Sequence, residues 1–261
     1  MARSQLAIDM ALIWRLTVAA LQRFTTERMF GSLWWILDPL IMIAVYVVVL
    51  SGILGAIRPG AQDTYPLFLA CGLIPWRWNA VATTRAANAF LANSGLLTAT
   101  PINRDAVYLA EFGASSVQAL MGIPVLFGFM IYYDRAITIN LLWLPVPLFI
   151  LGVLICGIGY GLCGLTVLLR DTGNAYAAFL RLLWFLSPGL YSLDRIPEQY
   201  RQLYCYANPF AGILEGIRRP IHDGLPPNWE ALTASAVWAV VVLLLGRIFF
   251  LRLKNDAIRM L

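Results

Sequence analysis

Polar side chains set inside apolar segments are the residues of this chain with chemistry to do. Between Tyr65 and Leu91 an otherwise apolar run carries Arg77, Thr84, Arg85 and Asn88. At about 100° per residue Thr84 and Asn88 fall within about 20° of Arg77, with Arg85 about 80° away, so one helix face is polar. An intramembrane charge is costly unless it faces protein or water. Two readings follow: a stripe lining a hydrated path, or Arg85 reaching the headgroups while Arg77 pairs locally. Arg181, in FLRLLWFL, poses the same choice. Asp38 precedes Pro39, whose ring frees a backbone carbonyl, and reads as a cap of that turn rather than a proton relay. Glu111, near a span end, is expected to snorkel. Trp78, Trp184, Phe185 and Tyr191 are either belt anchors or rings lining a path, where they can stack on the apolar faces of sugars.

Covalent chemistry finds little support. His222 is the only histidine, and with Asp223 in RRPIHDG it reads as a loop after a helix end, without a second ligand or nucleophile nearby. No catalytic residue, metal site or bound cofactor is expected. Lys254, the only lysine, follows no glycine-rich turn, so the chain has no phosphate loop of its own and any ATP belongs to a separate subunit. Cys71, Cys156, Cys163 and Cys205 read as small apolar fillers.

The elements that position these residues must be membrane helices. With 60% hydrophobic residues, 13% charged and a mean hydropathy of +0.73, the chain has too little polar surface for a soluble globule. Its net charge of +5 forms no dense cluster, which argues against nucleic acid. The expected fold is all-α integral membrane, in one domain over 1–261. Residues 1–30 form an amphipathic interface helix in the cytosol, in which Ile8, Leu12, Trp14, Leu16 and Leu21 interleave with Arg15, Arg23, Glu27 and Arg28. Six transmembrane helices follow: Leu33–Ile57, Tyr65–Leu91, Ala106–Tyr133, Leu141–Leu169 and Ala175–Leu193 within 33–193, then Ala231–Leu251. Gly157 and Gly161 in the fourth have the spacing that lets helices approach closely. Arginine and lysine are more numerous on the side of the termini, which places both termini in the cytosol.

Between the fifth and sixth spans the pattern breaks at Ser187-Pro188, and two short amphipathic pieces follow over 196–219. Each is about half the length a span needs. They are expected to form a re-entrant extracytoplasmic hairpin of two helices meeting at Asn208-Pro209, since Pro209 disfavours helix at Asn208 while Pro197 suits a first turn. Leu203, Tyr204, Phe210, Ile213, Leu214 and Ile217 would face the outer leaflet, with Arg201, Glu215 and Arg218 near water. Irregular backbone at membrane depth lines a cavity or packs on protein, so Pro188, Pro197, Tyr200, Asn208 and Pro209 are candidate gate residues.

The blocks MFGSLWWILDPL, YPLFLACGLIPW, LLRDTG and FLSPGLYSLDRIPEQYRQLYCYANPFAGILEGIRR, in this order and spacing, resemble the ABC-2 class of permeases, specifically bacterial polysaccharide exporters. The segment ANSGLLTATPINRDAVYLAE, around Pro101 and Asp105, and the basic Arg181 look closer to the capsular than to the O-antigen branch. What the resemblance implies is an inner-membrane homodimer with two copies of an ATPase subunit, moving a lipid-linked polysaccharide to the periplasm, with periplasmic and outer-membrane export proteins as further partners. Arg77, Trp78, Thr84, Arg85, Asn88, Arg181, Trp184, Phe185 and Tyr191 then become substrate-channel candidates. Arg23, Arg28, Ser94, Thr98, Pro101 and Arg104 become candidates for ATPase coupling. An ABC-2 exporter of a drug or small lipid shares this topology, and a membrane-embedded glycosyl- or acyltransferase is the further alternative.

Overall fold

The computed structural model describes residues 2–26, 30–53, 55, 64–100 and 102–259, except for the side chains at 2–7, 24, 26 and 255–259. Every regular element among them is helical. Four stretches, Gly31–Ile53, Arg104–Tyr132, Ile139–Leu168 and Trp229–Lys254, are long and apolar enough to cross a membrane.

Helix α1 (Ala2–Thr26) lies along α5 (Arg104–Leu120). Its packed side presents Thr17 and Ala20 while Trp14 is exposed, as an amphipathic helix requires. Thr17 fits because position 113 is glycine: a Cβ there would stand 3.1 Å from the Thr17 hydroxyl, which itself donates to the Ala110 carbonyl at 3.4 Å. After a short turn, α2 (Trp34–Val47) continues as wider π-type turns through Ile53. Pro39 sits inside α2, and much of its outer surface, including Ile41, Val45 and Val48, is exposed.

Helix α3 (Tyr65–Ala92) is the axis of the fold. Pro66 occupies its first turn, where the missing N–H costs nothing. It packs on α2, α5, α6 (Gly122–Tyr132), α7 (Pro145–Leu168), α8 (Thr172–Leu186) and α10 (Ala211–Arg218). Its charges lower its apolar character, yet most of its residues are buried by those neighbours. Beyond it lies the short α4 (Ser94–Ala99), and then Asn103 starts α5 by accepting from the Asp105 N–H at 3.1 Å. The third apolar stretch bends at Met121-Gly122, where a Cβ on Gly122 would come within 2.4 Å of Ile74.

Helix α11 (Trp229–Arg259) packs most extensively on α7. The expected close approach at Gly157 is present: a Cβ there would lie 2.5 Å from the Leu243 nitrogen, and one on Gly246 would lie 2.0 Å from the Gly157 carbonyl oxygen. Gly161 is less pressed, its Cβ position 4.0 Å from Gly246.

Two expectations about elements change. Helix α8 ends at Leu186, short of Leu193, because Ser187 turns extended before Pro188 and the backbone there hydrogen-bonds as a tight turn. The hairpin pieces do form short helices, α9 (Glu198–Ala207) and α10, divided at Asn208-Pro209. However, α10 does not turn its apolar face to lipid. Phe210, Ile213, Leu214 and Ile217 are all buried against the other helices, and Gly212 brings α10 so near α11 that a Cβ would fall 2.0 Å from the Ala231 carbonyl oxygen.

Candidate functional site

The polar residues of α3 do not share one destination. Arg77 turns to α2 and pairs with Asp38, so Asp38 neutralises an arginine instead of capping its own turn. Arg85 is buried toward α5 and donates to Gln118 Oε1 at 3.2 Å, so neither of the two readings, headgroup contact or a stripe shared with Arg77, describes it. Thr84 and Asn88 are exposed and return hydrogen bonds to their own helix, at Ala80 O and Thr84 O. Trp78 packs over Gly152 of α7. A small, mainly apolar pocket with Arg77, Ser115 and Gln118 on its wall opens among Trp35, Pro39, Ile74 and Trp78, beside an apolar crevice of about 210 Å³ lined by Pro75, Leu120, Leu148 and Ile217.

On α8 the candidates diverge. Arg181 and Phe185, one turn apart, lie on its exposed face. Trp184 faces inward, 5.2 Å from the Trp76 ring, and its indole donates to the Tyr46 hydroxyl of α2 at 3.1 Å. Trp76 also meets Phe210 edge-on at 4.9 Å, so aromatic rings join α3, α8 and the start of α10. The tightness has a cause in the backbone: a Cβ on Gly189 would lie 2.2 Å from the Trp184 ring.

The end of α8 is where the hairpin attaches. Asn208 donates to Leu186 O at 3.1 Å and Ser187 Oγ at 3.2 Å, while its Oδ1 accepts from the Phe210 N–H at 3.0 Å. One side chain thus serves both the last carbonyl of α8 and the turn that opens α10. Tyr204 donates to Leu186 O at 2.6 Å and lies 3.2 Å from the Tyr191 hydroxyl. Arg218 completes the attachment and overturns the expectation that it stays near water. It is 2% exposed, donates to Pro188 O at 2.7 Å and Gly189 O at 3.2 Å, and lies 3.7 Å from the Phe68 ring centre. Glu215 stands 3.6 Å from it and is also largely buried, again unlike the expectation. Burial raises the Glu215 carboxyl above its ordinary value, with Arg218 opposing. Pro188, Asn208 and Pro209 therefore gather at one corner, while Pro197 and Tyr200 stand exposed on α9. His222 lies 2.6 Å from Asp223 and 3.3 Å from the Thr64 hydroxyl, joining the last turn after α10 to the start of α3. The described residues hold no cluster of three metal ligands.

At the opposite end, which carries both termini, Arg23 donates to Glu111 at 2.8 Å. Glu111 is 5% exposed, so it does not snorkel but anchors α1 to α5. Asn103 donates to Asp9 at 3.2 Å, and Asp105 pairs with Arg247 of α11, with Lys254 at 3.8 Å. Thr98 lies exposed on α4 and Ser94 at its start, with Arg104 opening α5. Arg28 and Pro101 lie outside the described residues. The buried Arg218, the Arg23–Glu111 pair and the Asp105–Arg247 pair had no sequence signal beyond a charge beside apolar residues, since their partners are distant in the chain.

The family model for the ABC-2 type transporter matches residues 11–221. An O-antigen export system permease protein RfbA of Klebsiella pneumoniae is 27% identical over 87% of this chain and 86% of its own. A polysialic acid transport protein KpsM of Escherichia coli is 27% identical over 98% of both chains. An O-antigen export system permease protein RfbA of Myxococcus xanthus is 25% identical over 87% of this chain and 88% of its own.

Proposed function

The chain belongs to the ABC-2 type transporter family, and from that premise we propose that it is the channel-forming membrane subunit of a bacterial polysaccharide exporter. The observation that carries the reading is similarity along nearly the whole chain to export subunits of both the O-antigen and polysialic acid kinds. In this reading two copies form a C2 channel in the inner membrane, and a separate ATPase, also in two copies, drives a lipid-linked glycan from cytosol to periplasm. Both termini are cytosolic. Helices α3 and α8 complete six crossings with the four apolar stretches, α8 using the Ser187–Leu193 turn to reach the surface. The hairpin then dips into the periplasmic leaflet and gates the exit, a role its attachment to the end of α8 supports. Channel walls come from α2 and α8, whose exposed apolar surface a second copy would cover, with the exposed Thr84 and Asn88 of α3 beside them.

Deleting the gene in its native host tests this: surface polysaccharide should disappear while lipid-linked glycan accumulates on the cytosolic side, and expression of the chain should restore export. Normal surface glycan in the deletion strain would sink the reading and favour a drug or small-lipid exporter.

A further inference from the structure

The α3 face turned to α8 carries a polar group that nothing in this conformation satisfies. Asn79 is 0% exposed, and among the described residues neither its Oδ1 nor its Nδ2 has a hydrogen-bond partner. A buried amide left unpaired opposes the conformation that buries it.

Helix geometry identifies what covers it. Gly72, Trp76, Asn79 and Thr83 fall within about 60° of one another at 100° per residue. The other three all meet α8 or the turn that ends it. A Cβ on Gly72 would lie 2.9 Å from the Gly189 carbonyl oxygen, the Trp76 ring lies 5.2 Å from that of Trp184, and Thr83, whose hydroxyl donates to the Asn79 backbone carbonyl at 2.7 Å, neighbours Tyr176. Asn79 therefore sits at the α7 edge of the α3–α8 seam, between these residues and Ala86, which meets Gly159 of α7, and Tyr46 of α2 fastens that seam through the Trp184 indole.

The side chains in this seam suit one class of ligand. Sugar rings have apolar C–H faces that stack on aromatic rings and a rim of hydroxyls that need donors and acceptors. Trp76, Trp184 and Tyr176 offer rings, and Asn79 and Thr83 offer an amide and a hydroxyl. With the seam closed the rings cover one another and the amide pairs with nothing. With the seam parted, both kinds of group meet what they lack.

We infer that Asn79 is a glycan contact of the conducting state, uncovered when α8 parts from α3. The inference rests on the exporter reading and adds to it the seam that opens and a residue that holds sugar hydroxyls. The aromatic contacts favour the closed seam and the unsatisfied amide opposes it, which leaves the element poised between two arrangements.

Two substitutions test this in the complex with its ATPase, with cysteines 71, 156, 163 and 205 replaced for labelling. Asn79→Leu is nearly isosteric and removes the unpaired amide, so it should raise Tm by about 2–4 °C while reducing glycan export about 5- to 10-fold, the size of one lost hydrogen bond. A lowered Tm would mean that the amide is satisfied in the closed seam, by an ordered water for example, and would overturn the inference; so would export equal to wild type. Asn79→Cys should resist a small methanethiosulfonate reagent without nucleotide and react when the ATPase is trapped with nucleotide. Equal reactivity in both conditions would likewise overturn it. If the exporter reading itself fails, the wild-type complex moves no glycan; if only this inference fails, wild type exports and the Asn79→Cys thiol stays shut.

Discussion

At the scale of single residues, pairing decides which charges in this chain are structural. Removing one member of a sequestered ion pair leaves the other uncompensated, whereas removing both is mild. Both members of the Arg77–Asp38 pair are part-exposed, so Arg77→Leu should cost about 0.5–1 kcal/mol of stability, and Asp38→Leu in the same chain should recover most of it. Thermal unfolding of the two single variants and the double variant measures the coupling. Additive losses would mean that Arg77 faces a hydrated path and that its contact with Asp38 is incidental. Glu215 yields a prediction of opposite character. Its carboxyl is raised above the ordinary value by burial, so the folded state holds the proton more tightly than the unfolded chain. Its contribution to stability is then fully present below the ordinary carboxylate range and is lost as pH rises through the raised value. Glu215→Gln should flatten that slope, and unchanged pH dependence of Tm would show that Arg218 keeps the carboxylate ionised after all.

Among elements, close backbone approach rather than polar pairing joins α7 to α11. Gly157 and Gly246 leave no room for a side chain, so Gly246→Leu should force the helices apart and lower stability by about 2–4 kcal/mol, whereas Gly161→Ala should fall within about 1 kcal/mol of wild type. Equal effects at both positions, read by thermal unfolding, would remove the distinction. The glycine spacing made this contact legible from sequence, and hydropathy likewise marked the four apolar stretches. The hairpin's division was legible too, because Pro209 acts locally on Asn208. Legibility ended where the deciding atoms lie far along the chain. The break at Ser187-Pro188 was legible, although the apolar run carries the expected span on to Leu193; that Arg218, nearly thirty residues on, collects the carbonyls of this turn was not. Amphipathic periodicity located a stripe on α10 but could not say that protein, not lipid, would cover it. Asn79 was passed over for a related reason: one amide in an apolar run is ordinary, and only its covering makes it conspicuous.

For the whole molecule, the question is how force applied at the terminal end could reach the hairpin end. Helix α1 is fixed to α5 by Arg23–Glu111 and Asn103–Asp9, and the start of α5 is fixed to α11 through Asp105–Arg247. Any push on α4 or on the start of α5 is thus delivered to α1 and α11 together. At the far end α11 grips α10 at Gly212, and α10 grips the end of α8 through Arg218. A mechanical line of packed contacts therefore runs from one end to the other without a flexible joint at the Gly212 contact. The chain has no phosphate-binding loop of its own, and in the proposed exporter a separate ATPase engages this line at its terminal end. The purified subunit should accordingly show no ATP hydrolysis above background, and crosslinkers placed at Ser94 and Thr98 should capture the ATPase while those at Tyr200 do not. Glu111→Ala should leave ATPase binding intact but lower the export obtained per ATP hydrolysed, because without the Arg23 tie α1 is held to α5 only by the Thr17 packing and the Asn103–Asp9 contact. Unchanged export per ATP in that variant, or capture of the ATPase at Tyr200, would break the proposed line of transmission.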